Sequence, residues 1–134
     1  MRFSILRHAN ANSKTLILNL KETMKDTYYN REDLGKFGNI TDFQKELGEK
    51  FFDYYGEVFK AGALSAREKS LIALAVSHTI QCPYCIDAYT SDALKKGYDE
   101  EQMMEAVHVA AAIRGGASLV HGVQMMNQVK DKMM

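Results

Sequence analysis

The run His78-Thr79-Ile80-Gln81-Cys82-Pro83-Tyr84-Cys85-Ile86-Asp87-Ala88-Tyr89 decides how the rest of the chain is read. It holds both cysteines and the only proline of the 134 residues. A helical pattern enters it and another leaves it. Upstream, Ser65-Ala66-Arg67-Glu68 is a capping box, in which the serine hydroxyl and the glutamate carboxylate each take an orphan N–H of a first turn. Leu71 to Ile80 then reads as a nearly all-apolar helix, buried on most sides. Downstream of Pro83 the pattern stays helical to Lys96, and Gly97 closes it. No strand signal intervenes.

Working outward, Asp99 caps a further helix, Glu100 to Arg114, which Gly115 and Gly116 are expected to break. Ala117 to about Lys132 reads as a last helix, with Leu119, Val120, Val123 and Met126 inward. On the other side, Thr41 is placed to cap a helix ending near Lys60, with Phe43, Leu47, Phe51, Tyr54, Tyr55 and Phe59 at helical spacing. That aromatic stripe reads first as a core face and second as the lining of a pocket. Tyr28 to Ile40 reads as an ordered loop anchored by Tyr28, Tyr29, Leu34 and Phe37. Residues 1–27 read as an N-terminal extension and residues 28–134 as one domain. The fold class is all-α, with about five or six helices.

Composition narrows the function. One domain of this length can bury a core without disulfide staples. Lys plus Arg (17) balances Asp plus Glu (17), so nucleic acid is not an expected partner. No apolar run approaches the roughly 18 residues of a membrane span, and the N-terminus lacks the apolar core of a signal peptide. The expected location is cytoplasmic, where a dithiol is kept reduced and oxidises only in turnover.

Residues three apart on a helix lie on one side, about 5–6 Å from each other, which is also the Cα separation of a disulfide. Pro83 fits the first helical position. Cys82 is then the N-cap and Cys85 lies in the first turn, facing unpaired N–H groups and the positive end of the helix dipole, which stabilise thiolate. By this argument Cys82 is the more acidic thiol. If the two helices are nearly continuous, His78, Cys82, Cys85 and Tyr89 share a face. An imidazole there could relay a thiol proton, and a phenol could hydrogen-bond a thiolate or a peroxide oxygen. The competing reading makes His78 and Tyr89 packing residues and Glu68 only half of a capping box. His108 and His121 fall on separate expected helices and read as packing residues. Met103, Met104, Met125 and Met126 could form an adaptable interface. Zinc would need a fourth ligand that no second cysteine pair supplies, so no metal or cofactor is expected.

Cys-Pro-Tyr-Cys is similar to the active-site tetrapeptide of glutaredoxins. That fold sets the motif after a strand and beside a cis-proline, and neither is available here. The runs Arg67 to Ser77 and Cys82 to Tyr89, with Ala93 and Gly97, instead resemble the carboxymuconolactone decarboxylase and alkylhydroperoxidase D superfamily. Asp33 to Gly38, Cys82 to Tyr89 and Ala106 to Ser118 resemble one branch more closely, the arsenosugar biosynthesis-associated peroxidase-like proteins. The resemblance implies an alkylhydroperoxidase D-like helical domain assembled as a trimer or hexamer. It implies a thiol peroxidase that reduces a hydroperoxide at the expense of a thiol reductant. By resemblance Cys85 attacks the peroxide and Cys82 resolves the sulfenic acid as a disulfide. The decarboxylase branch lacks the cysteine pair, so the dithiol argues against that reaction. Two positions depart from the family. Its relay histidine falls on Tyr89 and its relay glutamate on Ser70, leaving His78 and Glu68 as the candidate substitutes. The alternative classes are a dithiol protein that binds a trivalent arsenical or soft metal without turnover, and a thiol sensor.

Overall fold

The computed structural model describes residues 29–133, and within them all regular structure is helical. The expected extension, residues 1–27, lies outside the described residues. A 3-10 helix, Arg31–Asp42, is followed by four α-helices: α1 Lys45–Phe59, α2 Ala66–Thr79, α3 Pro83–Lys95 and α4 Glu100–Met133.

Helix α2 is the centre, with α3 and α4 both packed along it. Ser70, Leu74 and Ser77 recur at helical spacing and are buried. Ala93 is the buried residue of α3 and Ala110 that of α4, and such small side chains let helices packed on α2 approach closely. The first turn of α2 also closes its neighbours. Lys69 Nζ donates to the carbonyls of Val58 (2.7 Å) and Lys60 (2.6 Å) at the end of α1. Arg67 Nε donates to Lys96 O at 3.2 Å, past the end of α3, and its guanidinium lies 3.8 Å from the centre of the Tyr98 ring. These carbonyls have no partner inside their own helices, and the two cations supply one. The Ser65–Glu68 capping box is present in full.

Five expectations are corrected. The stretch read as a loop is the 3-10 helix, started by Asn30, whose side chain accepts from Glu32 N. Helix α1 begins after Gln44 and not at Thr41, because the Thr41 hydroxyl is engaged with Gly38 O at 2.9 Å. Gly115 and Gly116 do not break the chain, which runs as one helix through residue 133. A helical glycine costs only about 1 kcal/mol relative to alanine, and neither glycine takes the positive φ that ends a helix. Leu119, Val120, Val123 and Met126 point into no core formed by the described residues, being 79%, 62%, 52% and 54% exposed. The reason is length. At about 1.5 Å per residue α4 is more than twice as long as α2, so among the described residues no helix lies beside its C-terminal half. Helix α2 is likewise buried along one stripe only, since Ile72 and Val76 are half exposed.

Candidate active site

The chain leaves α2 through Gln81, which takes the left-handed conformation (φ 55°). This residue ends the helical path and sends α3 back along α2. Cys82 follows with extended backbone (φ −92°, ψ 105°) as the N-cap of α3, and Pro83 opens the helix. The Cys82 Sγ accepts from the backbone N–H of Cys85 at 3.3 Å, as a serine or aspartate cap would. The two Sγ atoms lie 2.6 Å apart, both half-buried and both free thiols. The pair therefore occupies the positions that cap geometry alone assigned to it.

A cavity of about 360 Å³ opens beside the thiols. Cys82, Tyr84, Cys85, Ala88 and Tyr89 of the α3 segment form one wall; Asp33, Leu34 and Phe37 of the 3-10 helix and Tyr55 of α1 form the other. The size and the aromatic and aliphatic lining suit a small organic molecule. Arg31 holds the 3-10 helix over it by pairing with Asp87 of α3 through two hydrogen bonds, that from Nε at 2.8 Å. The Arg31 pairing holds the Asp87 carboxyl below the usual carboxylate range, by hydrogen bonding first and charge second.

Burial sets the thiol chemistry. It pushes Cys85 up to about 11, and the hydrogen bond and charge of Cys82 add to it, against a smaller pull from a backbone N–H. The expectation that the helix N-terminus makes Cys85 acidic is thus corrected: burial outweighs the backbone N–H that faces the thiol. Tyr89 is raised as well, by burial first, so its phenol remains protonated.

Of the residues singled out from sequence, Cys82, Cys85 and Tyr89 meet at the cavity. His78 and Glu68 are not among its lining residues. The Gln81 turn separates the face of α2 from that of α3, and His78 Nδ1 donates to Leu74 O at 2.9 Å within α2. That bond leaves Nε2 as the ring's other nitrogen. The Glu68 carboxylate accepts from the backbone N–H and the hydroxyl of Ser65, both at 2.7 Å, and these bonds hold it below its ordinary range. His108 and His121 lie on one helix, α4. Among the described residues no group of three His, Cys, Asp or Glu side chains could hold a metal ion.

Two residues were missed. Tyr55 was read only as part of an aromatic stripe. Asp92 lies seven residues after Cys85 and three after Tyr89, the spacing of one helix face. It accepts from the buried Ser70 hydroxyl and from Lys96 Nζ, both at 2.6 Å. Burial raises its carboxyl, but these two hydrogen bonds outweigh that and hold it low. A carboxylate therefore does stand at Ser70, supplied by α3.

Among the described residues no helix is long and apolar enough to cross a membrane. The chain is 50% identical over 64 residues to "uncharacterized protein 4 in cox locus" of Paracoccus denitrificans; the match covers 48% of this chain and 58% of that protein, so it spans somewhat over half of that relative's length. A crystal structure of a Methanobacterium thermoautotrophicum protein superposes with a TM-score of 0.62 at 31% identity, over 64% of this chain and 97% of that one. A Thermotoga maritima "carboxymuconolactone decarboxylase family protein possibly involved in antioxidative response" gives a TM-score of 0.45 at 21% identity, over 60% of this chain and 92% of that one. Residues 45–128, from the first residue of α1 well into α4 and including the dithiol, match one family throughout, and the chain belongs to it: the carboxymuconolactone decarboxylase family.

Proposed function

We propose that the protein is a thiol-dependent peroxidase of the alkylhydroperoxidase D type, acting on organic hydroperoxides through Cys82 and Cys85. The observation that carries this reading is the pair of free thiols in contact at the wall of an apolar and aromatic cavity. In the reaction the Cys85 sulfur attacks the terminal oxygen of a hydroperoxide. An S–O bond forms, the O–O bond breaks, and an alcohol leaves with the proton it needs. The Cys82 thiol then attacks the sulfenic sulfur, water leaves, and a disulfide closes without movement of the helix. An external thiol reductant restores the dithiol in two exchange steps. A half-buried thiol suits a hydrophobic peroxide, because a cavity of this lining desolvates the alkyl group as it binds.

The same proposal includes self-association. Leu119, Val120, Val123, Met125 and Met126 form an apolar surface on the free half of α4 that a second copy of the chain would cover, as in a trimer or hexamer. The resemblance to the arsenosugar-associated branch adds a link to arsenic metabolism, and two adjacent thiolates could also hold a trivalent arsenical.

The test is a thiol count by mass spectrometry before and after one equivalent of hydroperoxide, on wild type, Cys82→Ser and Cys85→Ser. We expect a loss of two hydrogens in wild type and a trapped sulfenic acid in Cys82→Ser only. The reverse trapping pattern would make Cys82 the attacking residue. Two inert thiols, protected in stoichiometric amount by arsenite, would replace the peroxidase with a binding protein.

A further inference from the structure

Tyr55 is the one residue of α1 that lines the cavity, and its hydroxyl is hydrogen-bonded to that of Tyr89, with either oxygen able to donate. The two phenols are fixed by rings. Phe59 stacks on Tyr89 at 5.4 Å and 24°, and Tyr55 leans on Phe59 at 5.1 Å and on Phe51 at 5.6 Å. Tyr89 lies one helical turn beyond Cys85, on the same face. Two phenols in contact own two protons, and the bond between them uses one. Where Tyr55 donates, the Tyr89 proton is free to turn into the cavity, and a phenol that accepts a hydrogen bond is a stronger donor itself.

We propose that Tyr55 is a positioning residue for peroxide cleavage: it donates to the Tyr89 oxygen and so aims the Tyr89 proton at the oxygen that leaves when Cys85 attacks. The inference rests on the peroxidase reading above and adds a residue to it. As the Cys85 S–O bond forms, the electron pair of the O–O bond goes to the alkoxide. The alkoxide takes the Tyr89 proton and departs as an alcohol. Tyr89 takes a proton from Tyr55, and Tyr55 is refilled by water through its exposed edge, 37% of the residue. The proton lost by the Cys85 thiol enters the same solvent, so the balance is thiol plus hydroperoxide to sulfenic acid plus alcohol. Burial keeps the Tyr89 phenol protonated, as a donor requires.

The test compares two oxidants in single-turnover oxidation of Cys85 in the full chain. Cumene hydroperoxide expels an alkoxide, which needs a proton. Peracetic acid expels a carboxylate, which does not. In Tyr55→Phe the rate with cumene hydroperoxide falls about tenfold while that with peracetic acid changes less than about twofold. Tyr89→Phe shows the same selectivity with a deeper loss. An equal loss with both oxidants in either variant overturns the inference and makes the tyrosine pair packing alone. The ratio is taken within one protein, so a partly unfolded sample shifts both rates together and leaves the reading intact. Wild type that reacts with neither oxidant would instead overturn the peroxidase reading itself, so the two failures are told apart.

Discussion

Alkylation of Cys85 as a function of pH tests whether burial or the helix dipole governs the site. Burial takes this thiol from an ordinary value of 9.0 to about 11. At pH 7 the thiolate fraction is then about one in 10,000, against about one in 100 for an ordinary thiol of 9.0, a deficit of about 100-fold in the reactive form. Site-resolved mass spectrometry after iodoacetamide pulses separates Cys85 from Cys82. The expected Cys85 rate climbs about tenfold per pH unit from about pH 6.5 to 9.5 with no plateau, because the whole window lies below the titration. The perturbation is Cys82→Ala. It removes the hydrogen bond and the charge of Cys82 but leaves the burial, which is the largest cause. The titration should move down and still stay above 9.0. A plateau below about pH 9 in wild type would refute the reasoning, since it would mean that the N–H groups at the start of α3 hold a thiolate that the apolar wall does not penalise. The hydroperoxide reaction must show the same rise with pH if Cys85 attacks, because its proton has to leave before or during the step.

The cover over the thiols is tested by Asp87→Asn, which unties the 3-10 helix from α3 and should speed Cys85 alkylation severalfold. The Asp87 carboxyl is held low in the folded protein, so the tie is present at neutral pH and is lost as pH falls through the carboxylate range; acid should loosen the cover in wild type and leave the variant unchanged. Ser65→Ala removes half of the capping box and should cost about 1 kcal/mol in denaturant melts, whereas Glu68→Gln should leave Cys85 oxidation unaltered. A tenfold loss of oxidation in Glu68→Gln would bring that carboxylate into the proton path. Gly48→Ala puts a Cβ 2.6 Å from Thr41 Cγ2 and 2.9 Å from Thr41 Cα, and should destabilise by about 1–2 kcal/mol even after the gain of about 1 kcal/mol in helix propensity. Trimming Thr41 rescues only part, since the backbone contact remains; a stabilised Gly48→Ala would show that the 3-10 helix does not seat on α1.

What could be read from the chain divides by the range of the interaction involved. Caps are local, and the Ser65 box, the Cys82–Pro83 start and the Gly97 stop all stand where three or four neighbouring residues put them. The break expected at Gly115 and Gly116 weighed a weak propensity as if it were a stop signal, and a glycine stops a helix only by taking the left-handed conformation, as Gly97 does at φ 79°. The inward face assigned to the end of α4 finds no partner among the described residues. An apolar stripe specifies that something covers it and not which chain supplies the cover. Thr41 was placed as a cap from its type alone, while its hydroxyl had a nearer partner in Gly38 O.

The dithiol shows the same division within a single site. Its geometry is local, and spacing, a proline and a cap suffice to bring two sulfurs into contact. Its electrostatics are not. The facing wall of its cavity comes from Leu34, Phe37 and Tyr55, 51, 48 and 30 residues away in the chain, and nothing in residues 78–89 states that the first turn of α3 faces a cavity. This is why the dipole argument and the folded site disagree about Cys85. The unpaired N–H groups are present in both accounts, but in the fold they compete with a desolvation that favours the neutral thiol. A cysteine so placed gains an apolar cavity and loses acidity in the same packing step. Fast attack at neutral pH therefore requires that the proton balance be handled by neighbours, and the neighbour that the fold sets beside Cys85 on the cavity wall is a protonated phenol, Tyr89. That phenol can help the leaving oxygen but cannot serve as a base. On the proposed peroxidase reading, the rate should therefore be limited by thiol deprotonation with peracids, which expel a carboxylate, and by leaving-group protonation with alkyl hydroperoxides.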